Sequence, residues 1–433
     1  MQVLVRTIES RLADMPVPVA VRLPAGDRVG PTSAAVTLSF RDWSGLIKMA
    51  TGQIGRMAED FVESRLQLEG RMRDFMAVAA RLLRGTPVNR QANWLAQALR
   101  RARSLAAHAS PVRDAQQIQF HYDVSDDFYA LWLDPRRVYS CAYYQDAAMT
   151  LAQAQEAKLD YICRKLMLRP GDRFLDIGAG WGGLLLWAAE HYGVTARGIT
   201  LSRNQCAYVQ RVIEEKHLQD RVQVELRDYR ELDEPQGYDK IASVGMFEHV
   251  GHANMPAYFR TIHTLLRPGG LVMNHGITAG AVDAGELGAG MGDFIEKYIF
   301  PGGELLHVSH VMKDLAMAGL EMVDTESLRP HYARTLWAWS DALEAQLEQA
   351  QQVLGATGHD TPGDKVLRAY RLYLAGSAMC FEQGWISLHQ MIATRPDGQV
   401  QSGALRGAQS GYPFNREYMY SCSTNSNRRP PAT

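Results

Sequence analysis

The feature that most constrains the fold of this chain is a buried strand that runs directly into a glycine-rich turn and then a helix. It occupies residues 174–183, where the sequence reads FLDIGAGWGG. Glycines at such a turn let the backbone adopt positive φ and let a ligand approach the main chain closely. Without a ligand, several glycines after a buried strand would cost folding entropy and return no packing. The segment therefore predicts a ligand-binding loop at the end of a strand in an α/β sheet.

Strands and helices alternate on both sides of this loop, which indicates a doubly wound, mostly parallel sheet covered by helices. Strands are predicted at Arg173–Ile177, Val194–Ile199, Val222–Leu226, Lys240–Val244 and Leu271–His275. Helices are predicted at Gly183–Tyr192, Arg203–His217, Met255–Leu266, Ala333–Gln352 and Lys365–Phe381. Trp385–Thr394 is interpreted as a final strand that adds an edge to this sheet.

Glycine loops of this kind also occur in dinucleotide-binding proteins, so the two ligand classes must be separated. A nicotinamide site carries an Asp or Glu about 20 residues after the glycines, where it holds the adenine ribose. The second strand, Thr195–Ile199, ends without such an acid. Asp176 instead precedes the glycines, which is common where the loop holds the amino-acid end of S-adenosylmethionine. The pattern therefore favours an S-adenosylmethionine site.

The chain of 433 residues divides into four regions that differ in composition and hydrophobic pattern. Residues 1–84 combine alternating strand patterns with helical ones and predict a small α+β domain. Residues 85–120 form a basic connector, interpreted either as a solvated linker helix or as a helix that lies on a membrane surface. Residues 121–394 form the predicted catalytic domain. Residues 395–433, rich in Gly, Ser, Asn, Arg and Pro, are predicted to be a flexible tail.

Charge and cysteine content narrow the class of partner and compartment. The formal net charge of -1 gives no global attraction to a polyanion, so no nucleic-acid partner is expected. The five cysteines contain no C-x-x-C pair and predict neither a disulfide framework nor a zinc site, which suits a reducing cytosol. They are Cys141, Cys163, Cys206, Cys380 and Cys422. Residues 1–20 lack the apolar run of a signal peptide, and no segment approaches the roughly 18 apolar residues of a membrane span.

Several motifs, read in order, make residues 120–394 resemble the cyclopropane-fatty-acid synthase family, which includes the mycolic acid cyclopropane synthases. They are HYDVSDDFY (121–129), YSCAYY (139–144), the glycine loop, GITLSRNQ (198–205), VGMFEHVG (244–251), KYIFPGG (297–303) and YARTLWAW (332–339). The resemblance implies a class I S-adenosylmethionine methyltransferase sheet. The N-terminal domain resembles, more weakly, the lipid-associated module of the longer bacterial members that modify phospholipid.

The resemblance also implies two sets of site residues. The set expected to contact S-adenosylmethionine is Tyr139, Ser140, Asp176, Gly178, Gly180, Thr200, Gln205 and Asp228. The set expected to hold a bicarbonate ion as the catalytic base is Cys141, Glu248, His275, Tyr332 and the backbone of Ile277. Taken alone, Thr200 and Gln205 could serve a helix cap and a solvent-facing first turn, Cys141 could be a small buried hydrophobe, and His275 could be structural.

The implied reaction is transfer of a methyl group to the cis double bond of an unsaturated phospholipid acyl chain, followed by deprotonation and closure of a cyclopropane ring. Such an enzyme would be cytoplasmic and peripheral at the inner membrane surface, where it meets its phospholipid substrate; we also consider a homodimer. One alternative stops at a methyl-branched or methylene chain. Two others are a small-molecule methyltransferase and a non-catalytic lipid-binding protein.

The sequence departs from the family pattern at two places. Ala179 stands where many members have Cys, which is a conservative change. Residues 274–278 read NHGIT instead of the common Leu-His-Thr-Ile pattern, so the substrate or outcome could differ. Residues 279–292 are rich in Gly and Ala and predict a mobile lid.

Overall fold

The computed structural model describes residues 8–10, 12–83, 126–282, 291–298, 304–356, 362–396, 412–413 and 415–420. The predicted basic connector, most of the predicted lid and most of the predicted tail lie outside these residues. Within them, no helix is both long enough and apolar enough to cross a membrane. The four cysteines among them are buried and unbonded.

The N-terminal domain is the small α+β unit that the sequence predicts. Its four-stranded sheet has the order β2-β1-β3-β4, and β1 and β3 run parallel. The strands are β1 (Val19–Arg22), β2 (Arg28–Val29), β3 (Val36–Phe40) and β4 (Leu66–Gly70), and the helices are Trp43–Thr51, Ile54–Val62 and Met72–Leu82. Three ion pairs among the described residues join this unit to the second domain: Lys365 with Glu63 at 2.7 Å, Arg73 with Asp341 at 2.6 Å and Lys297 with Glu59 at 3.2 Å.

The second domain, predicted to be the catalytic one, is built on a seven-stranded sheet of order β10-β11-β9-β8-β5-β6-β7, with β11 antiparallel to both of its neighbours. The strands are β5 (Arg173–Ile177), β6 (Thr195–Thr200), β7 (Val222–Leu226), β8 (Tyr238–Val244), β9 (Leu266–Ala279), β10 (Glu321–Ser327) and β11 (Ile386–Thr394). Because β5 to β9 are parallel, the loops after them meet at one edge of the sheet, where such folds bind ligands.

Eleven helices are described in or beside this domain. They are Asp126–Ala130, Leu151–Lys165, Gly183–Tyr192, Arg203–Glu215, Met255–Leu265, Met291–Tyr298, Val308–Met317, Arg329–Glu344, Leu347–Ala356, Gly363–Glu382 and Glu417–Tyr420. Local capping sets two of the starts that matter for the site. Thr150 and Gln153 form a capping box before Leu151–Lys165, and the Ser202 side chain caps Arg203–Glu215.

Three expectations need correction. Strand β11 lies between β10 and β9, so it is not the edge of the sheet. The edge is β10, which the sequence analysis missed because three acidic residues in seven (Glu321, Asp324, Glu326) lower its strand propensity. The single helix predicted over residues 333–352 is two helices, since Ala345 ends the first of them.

Part of the predicted tail packs against the catalytic domain. The helix Glu417–Tyr420 lies on the helix Leu151–Lys165, with Met419 buried. Arg416 forms an ion pair of 2.6 Å with Asp324 of the edge strand. At least this piece of the C-terminal segment therefore contributes to the folded domain.

Candidate active site

The glycine loop after β5 takes the backbone conformation that its glycines permit. Gly178, Gly180 and Gly182 have φ values of +81°, +56° and +81°, in the region that favours glycine. The backbone N–H groups of residues 178 and 179 both donate to the Ile199 carbonyl oxygen, at 3.0 and 2.9 Å. The loop is thereby held against the end of β6. A Cβ at Gly178 would lie 3.2 Å from the Met246 Cγ, so the main chain here is closely covered.

A cavity opens at this loop, and all eight residues predicted to contact the cofactor line it. They are Tyr139, Ser140, Asp176, Gly178, Gly180, Thr200, Gln205 and Asp228. The cavity is also lined by residues that were not predicted to contact the cofactor, among them Lys158, Trp181, Arg227, Tyr229, Met246 and His249. Residues from six separate segments therefore converge on one cavity at the carboxyl ends of the parallel strands.

Thr200 and Gln205 are engaged with each other inside this cavity. The Thr200 hydroxyl donates to the Gln205 Oε1 at 2.9 Å, and both side chains are buried. The helix cap is the neighbouring Ser202, whose Oγ accepts from the Gln205 backbone N–H at 3.3 Å. The capping and solvent-facing alternatives therefore do not hold for this pair. With its oxygen engaged, Gln205 keeps its amide nitrogen to donate to a ligand hydroxyl.

A buried carboxyl and a buried ammonium share the wall of the cavity. Burial raises the pKa of Asp176 to about 7, and the nearby Lys158 opposes that shift. Burial also lowers the pKa of Lys158 to about 8. The Lys158 Nζ donates to the Ser140 Oγ at 2.7 Å. A cationic group of a ligand beside Asp176 would restore the charge of this carboxylate, as the amino-acid end of S-adenosylmethionine could do.

Asp228 also lines the cavity, but its charge is already paired. Its carboxylate accepts from the Arg230 Nη2 at 2.6 Å and Nε at 2.9 Å, and it caps the short 3-10 turn Tyr229–Glu231. Its predicted contact with the cofactor would therefore share an oxygen with Arg230. The role of Asp228 stays a prediction.

Glu248 is fixed at a second position, just beyond the end of β8. It lies in the 3-10 turn Phe247–His249, and its Oε1 accepts from the Ile277 backbone N–H at 2.6 Å. Burial raises the pKa of the Glu248 carboxyl to about 7. Its second oxygen, Oε2, is buried and has no hydrogen-bond partner among the described residues. Such an atom needs a ligand or water to satisfy it.

His275 lies on β9, two residues before Ile277, and pairs in the sheet with Val244 of β8. Burial, together with the charges of Lys158 and Lys165, holds the pKa of His275 well below its usual value. Its Nδ1 lies 3.1 Å from the Gln390 Nε2. Its Nε2 is buried and, within the described part of the chain, has no partner. His275 and Glu248 thus each present one unsatisfied polar atom.

Cys141 and Tyr332 belong to one cluster of packed apolar side chains, with Ile277 at its edge. The Cys141 Sγ lies 3.2 Å from the Ala142 carbonyl oxygen and 3.9 Å from that of Leu328. Burial raises the pKa of the Cys141 thiol far above its usual value, so the sulfur stays protonated. Within the predicted anion set, Glu248 and Ile277 are joined by a direct hydrogen bond.

Gly276 accounts for the close approach of Glu248 to strand β9. A Cβ at residue 276 would lie 2.7 Å from the Glu248 Oε1 and 2.3 Å from the Phe247 Cε1. The glycine at this departure from the family pattern therefore leaves room for the bond between Glu248 and Ile277. His275 and Ile277 thus keep their places in the predicted anion set, and the departure changes the residue between them.

Two histidines next to Glu248 are separated by the structure. His249 lines the cofactor cavity. His252 is exposed, and its backbone N–H donates to the Glu304 carboxylate at 2.6 Å. His252 is therefore outside both parts of the site.

The sequence analysis missed the helix Leu151–Lys165 and its two buried lysines. Lys158 and Lys165 are seven residues apart and are 2% and 0% exposed. Lysines are almost never fully buried unless they are paired. A lysine at each of two core positions of one helical pattern is the signal that could have identified them.

Cys141→Ser is expected to keep turnover within about fivefold of the wild type. The thiol is protonated and makes only weak hydrogen bonds, and a hydroxyl can donate to the same carbonyl oxygen. Initial rates with the purified variant test this expectation. A loss beyond about a hundredfold, with the fold and the cofactor affinity intact, would instead assign chemistry to the sulfur.

Comparisons with known proteins agree with this geometry. The family model described as mycolic acid cyclopropane synthetase matches residues 109–391. A probable fatty acid methyltransferase from Pseudomonas putida is 40% identical over 94% of this chain and 98% of its own length. That relative therefore spans the N-terminal domain as well.

Solved structures match over the catalytic domain. The cyclopropane synthase MmaA2 from Mycobacterium tuberculosis is 37% identical, with a TM-score of 0.60, and the match covers 65% of this chain and 98% of that one. The mycolic acid cyclopropane synthase CmaA1, solved in complex with SAH and CTAB, gives the same identity, TM-score and coverage.

Proposed function

Because this chain belongs to the mycolic acid cyclopropane synthetase family and is an S-adenosylmethionine-dependent methyltransferase, we propose that it closes a cyclopropane ring on the cis double bond of an unsaturated phospholipid acyl chain. The observation that carries the proposal is the pair of buried, unsatisfied atoms, Glu248 Oε2 and His275 Nε2. They call for a small ligand that can both donate and accept hydrogen bonds.

Bicarbonate meets this requirement. A carboxylate beside an anion is repelled unless one of the two carries a proton. The O–H of bicarbonate can donate to Glu248, while its other oxygens accept from His275 and Tyr332. The raised pKa of Glu248, about 7, suits a pair that shares one proton. Cys141 would add a weak donor from the apolar side.

S-adenosylmethionine held at the glycine loop would supply a methyl group as an electrophile. The two π electrons of the alkene would form the new C–C bond while the S–CH3 bond breaks, and its electron pair would stay on the sulfur of the departing S-adenosylhomocysteine. The carbocation that remains on the acyl chain has no counterion. A bicarbonate held by Glu248, His275 and Tyr332 would accept a proton from the transferred methyl, and the electrons of that C–H bond would close the ring. No side chain forms a covalent bond in this reaction, because the sulfonium is already an activated methyl donor.

A wall of packed aromatic side chains runs from the cavity to Tyr332 of the proposed anion set. Tyr139 lines the cavity and packs against Trp132 and Trp339, with ring centroids 5.3 and 5.4 Å apart. Tyr332 packs against the same Trp339 at 6.1 Å. Aromatic faces attract cations and supply no nucleophile to trap them. This wall supports a reaction that passes through a carbocation.

The choice of phospholipid as substrate rests on the part of the chain outside the family model. The N-terminal domain precedes residue 109, and the P. putida relative shares it. With the basic connector that follows, which has no Asp or Glu from Gly85 to Arg113, this domain would place the enzyme, as a cytoplasmic protein, on the inner membrane surface. A methyl-branched or methylene product is the second candidate, because that relative is named a fatty acid methyltransferase.

Mass spectrometry of lipids from cells that express the protein tests the reaction. Cyclopropanation adds one CH2 and removes the double bond, so the product resists ozonolysis. An added CH2 with a double bond that is still cleaved by ozone would support the methylene alternative. Unchanged lipids, from a protein that binds cofactor, would contradict both and favour a small-molecule substrate or a lipid-binding role.

Activity is expected to fall at least about tenfold in bicarbonate-depleted buffer and to return when bicarbonate is added. Without the anion, the methyl proton has no positioned acceptor. Assays in purged buffer, with chloride added to the same ionic strength as the control, measure this dependence. Unchanged rates in a well-purged assay would require a side chain as the base.

Arg100, Arg101 and Arg103 in the predicted connector are expected to attract anionic headgroups. Each is worth about 1 kcal/mol near such a surface. Changing all three to Gln should therefore weaken binding to anionic vesicles at least about tenfold. Salt should weaken the binding of the wild type in the same direction. Cosedimentation with vesicles of anionic phospholipid measures both effects.

The matched control removes the same charge elsewhere. Arg203, Arg211 and Arg221 are exposed on the catalytic domain, and their change to Gln lowers the net charge equally. If this control weakens vesicle binding as much as the connector variant does, only the total charge matters. The connector is then a plain linker.

A further inference from the structure

Three polar side chains lie side by side across the sheet next to the proposed anion position. Gln390 on β11 pairs in register with Glu326 on β10 and with His275 on β9. Side chains of directly paired residues lie on the same face and close together. Gln390 and His275 are 0% and 1% exposed, so the hydrogen bonds along this row are shielded from water.

Lys165, from the helix Leu151–Lys165, reaches into this row. Its Nζ lies 2.6 Å from the Glu326 Oε2, 2.9 Å from the Gln390 Oε1 and 3.9 Å from the Asp324 Oδ2. The two carboxylates supply the negative charge that a buried ammonium needs. An ammonium only donates hydrogen bonds, so the atom of Gln390 that faces it must be the amide oxygen.

The orientation of Gln390 then decides the proton position on His275. The amide nitrogen, which only donates, faces the His275 Nδ1 at 3.1 Å, so Nδ1 must accept and carries no proton. Burial and the two nearby lysines keep the imidazole neutral. A neutral imidazole has one N–H, and it must therefore lie on Nε2.

We propose that Lys165 and Gln390 are positioning residues that hold His275 as its Nε2–H tautomer, so that His275 donates to the bound anion and is not the base. The Nε2–H is the buried atom that lacks a partner in the described part of the chain. The identity of that anion as bicarbonate rests on the proposed function, whereas the tautomer rests on the row of side chains alone.

This arrangement explains why the site would need a separate anion. A nitrogen that already carries a proton cannot take one from the transferred methyl. The other nitrogen is occupied by Gln390 on the side of β11. Lys165 also adds positive potential behind the ring, which favours an anion in front of it.

Nitrogen-15 NMR of protein labelled in its histidines tests the tautomer directly. The His275 signals are those that disappear in His275→Gln. In the wild type at neutral pH, we expect a protonated Nε2 and an unprotonated Nδ1. Gln390→Glu places a carboxylate between Lys165 and Nδ1, so the Nδ1 resonance should move to the protonated position.

Lys240→Met controls for a general response of the His275 signals to a change in buried charge. It removes a largely desolvated ammonium from β8 without touching the row. It should leave both His275 resonances unchanged. A protonated Nδ1 in the wild type overturns the proposal. So does a Gln390→Glu spectrum that equals the wild type. If Gln390→Glu fails to fold, the wild-type spectrum alone decides.

Bicarbonate titrations separate this inference from the proposed function. If the tautomer is as expected but bicarbonate moves neither the Nε2 resonance nor the rate, the anion assignment fails and the tautomer assignment stands. If bicarbonate acts, Lys165→Met should raise its half-saturating concentration about tenfold and leave the affinity for S-adenosylmethionine unchanged. An equal half-saturating concentration in this variant would remove Lys165 from the positioning role.

Discussion

Glu248→Gln is expected to reduce turnover by roughly two to three orders of magnitude, and the affinity for S-adenosylmethionine should not change. The amide oxygen of the variant can still accept from the Ile277 N–H, so the turn after β8 should keep its place. The other atom, now an NH2 group, would present a donor where the proposed bicarbonate O–H needs an acceptor. The variant therefore changes one hydrogen-bonding atom of the anion position and little else.

Single-turnover rates and calorimetry with S-adenosylmethionine measure the two halves of this expectation. Glu156→Gln is a suitable control, because Glu156, on the helix Leu151–Lys165, forms a surface ion pair with Arg136. It should behave as the wild type. Our assignment of roles is wrong if Glu248→Gln stays active while Cys141→Ser is inactive.

The parallel part of the sheet could be predicted because its strands are short apolar runs bounded by turns. Strand β5 and the helix that follows it begin and end at the predicted residues. Strand β10 could not be predicted in this way. Its Asp324 is buried because Lys165 and Arg416 pair with it, and both partners are distant in sequence. A tertiary ion pair thus overrides a local propensity against strand.

The same reason limits what could be predicted of the site. The glycine loop and Glu248 lie within local motifs, and their neighbours along the chain identify them. The role of Gln390 depends on the strand order, because the place of β11 between β9 and β10 puts Gln390 beside His275, and no local motif indicates that order. The core positions of Lys158 and Lys165 can be read from the helical pattern, but the partner that makes the burial of Lys165 possible, Glu326, is distant in sequence.

Gly178→Val is expected to abolish detectable binding of S-adenosylmethionine while the chain stays folded. Residue 178 has a φ of +81°, which a β-branched side chain rarely adopts. A Cβ there would lie 3.2 Å from the Met246 Cγ, and the two methyl groups of Val would extend into the cavity wall beyond it. The backbone strain costs about 1–2 kcal/mol, which a domain with this core can tolerate. The cavity, however, loses the close approach to the main chain that the cofactor needs.

Gly180→Val should have the same consequence for a different reason. Its φ of +56° imposes less backbone strain on a side chain. A Cβ there would meet only the Gly178 carbonyl oxygen, at 4.0 Å. The added side chain would therefore stand in the open space of the cavity, where the ligand would lie. Little rearrangement of the protein is needed, so this variant should be the more stable of the two.

Gly171→Val separates strain from obstruction. Gly171 has a φ of +87°, and a Cβ there would meet nothing within 4 Å, in a turn before β5 that does not line the cavity. It should lose stability as Gly178→Val does and keep its affinity for the cofactor. Calorimetry and thermal unfolding of the three variants give both quantities. Unchanged affinity in Gly178→Val or Gly180→Val would remove the loop from the cofactor site, and an equal loss in Gly171→Val would mean that strain alone, transmitted through β5, disables binding.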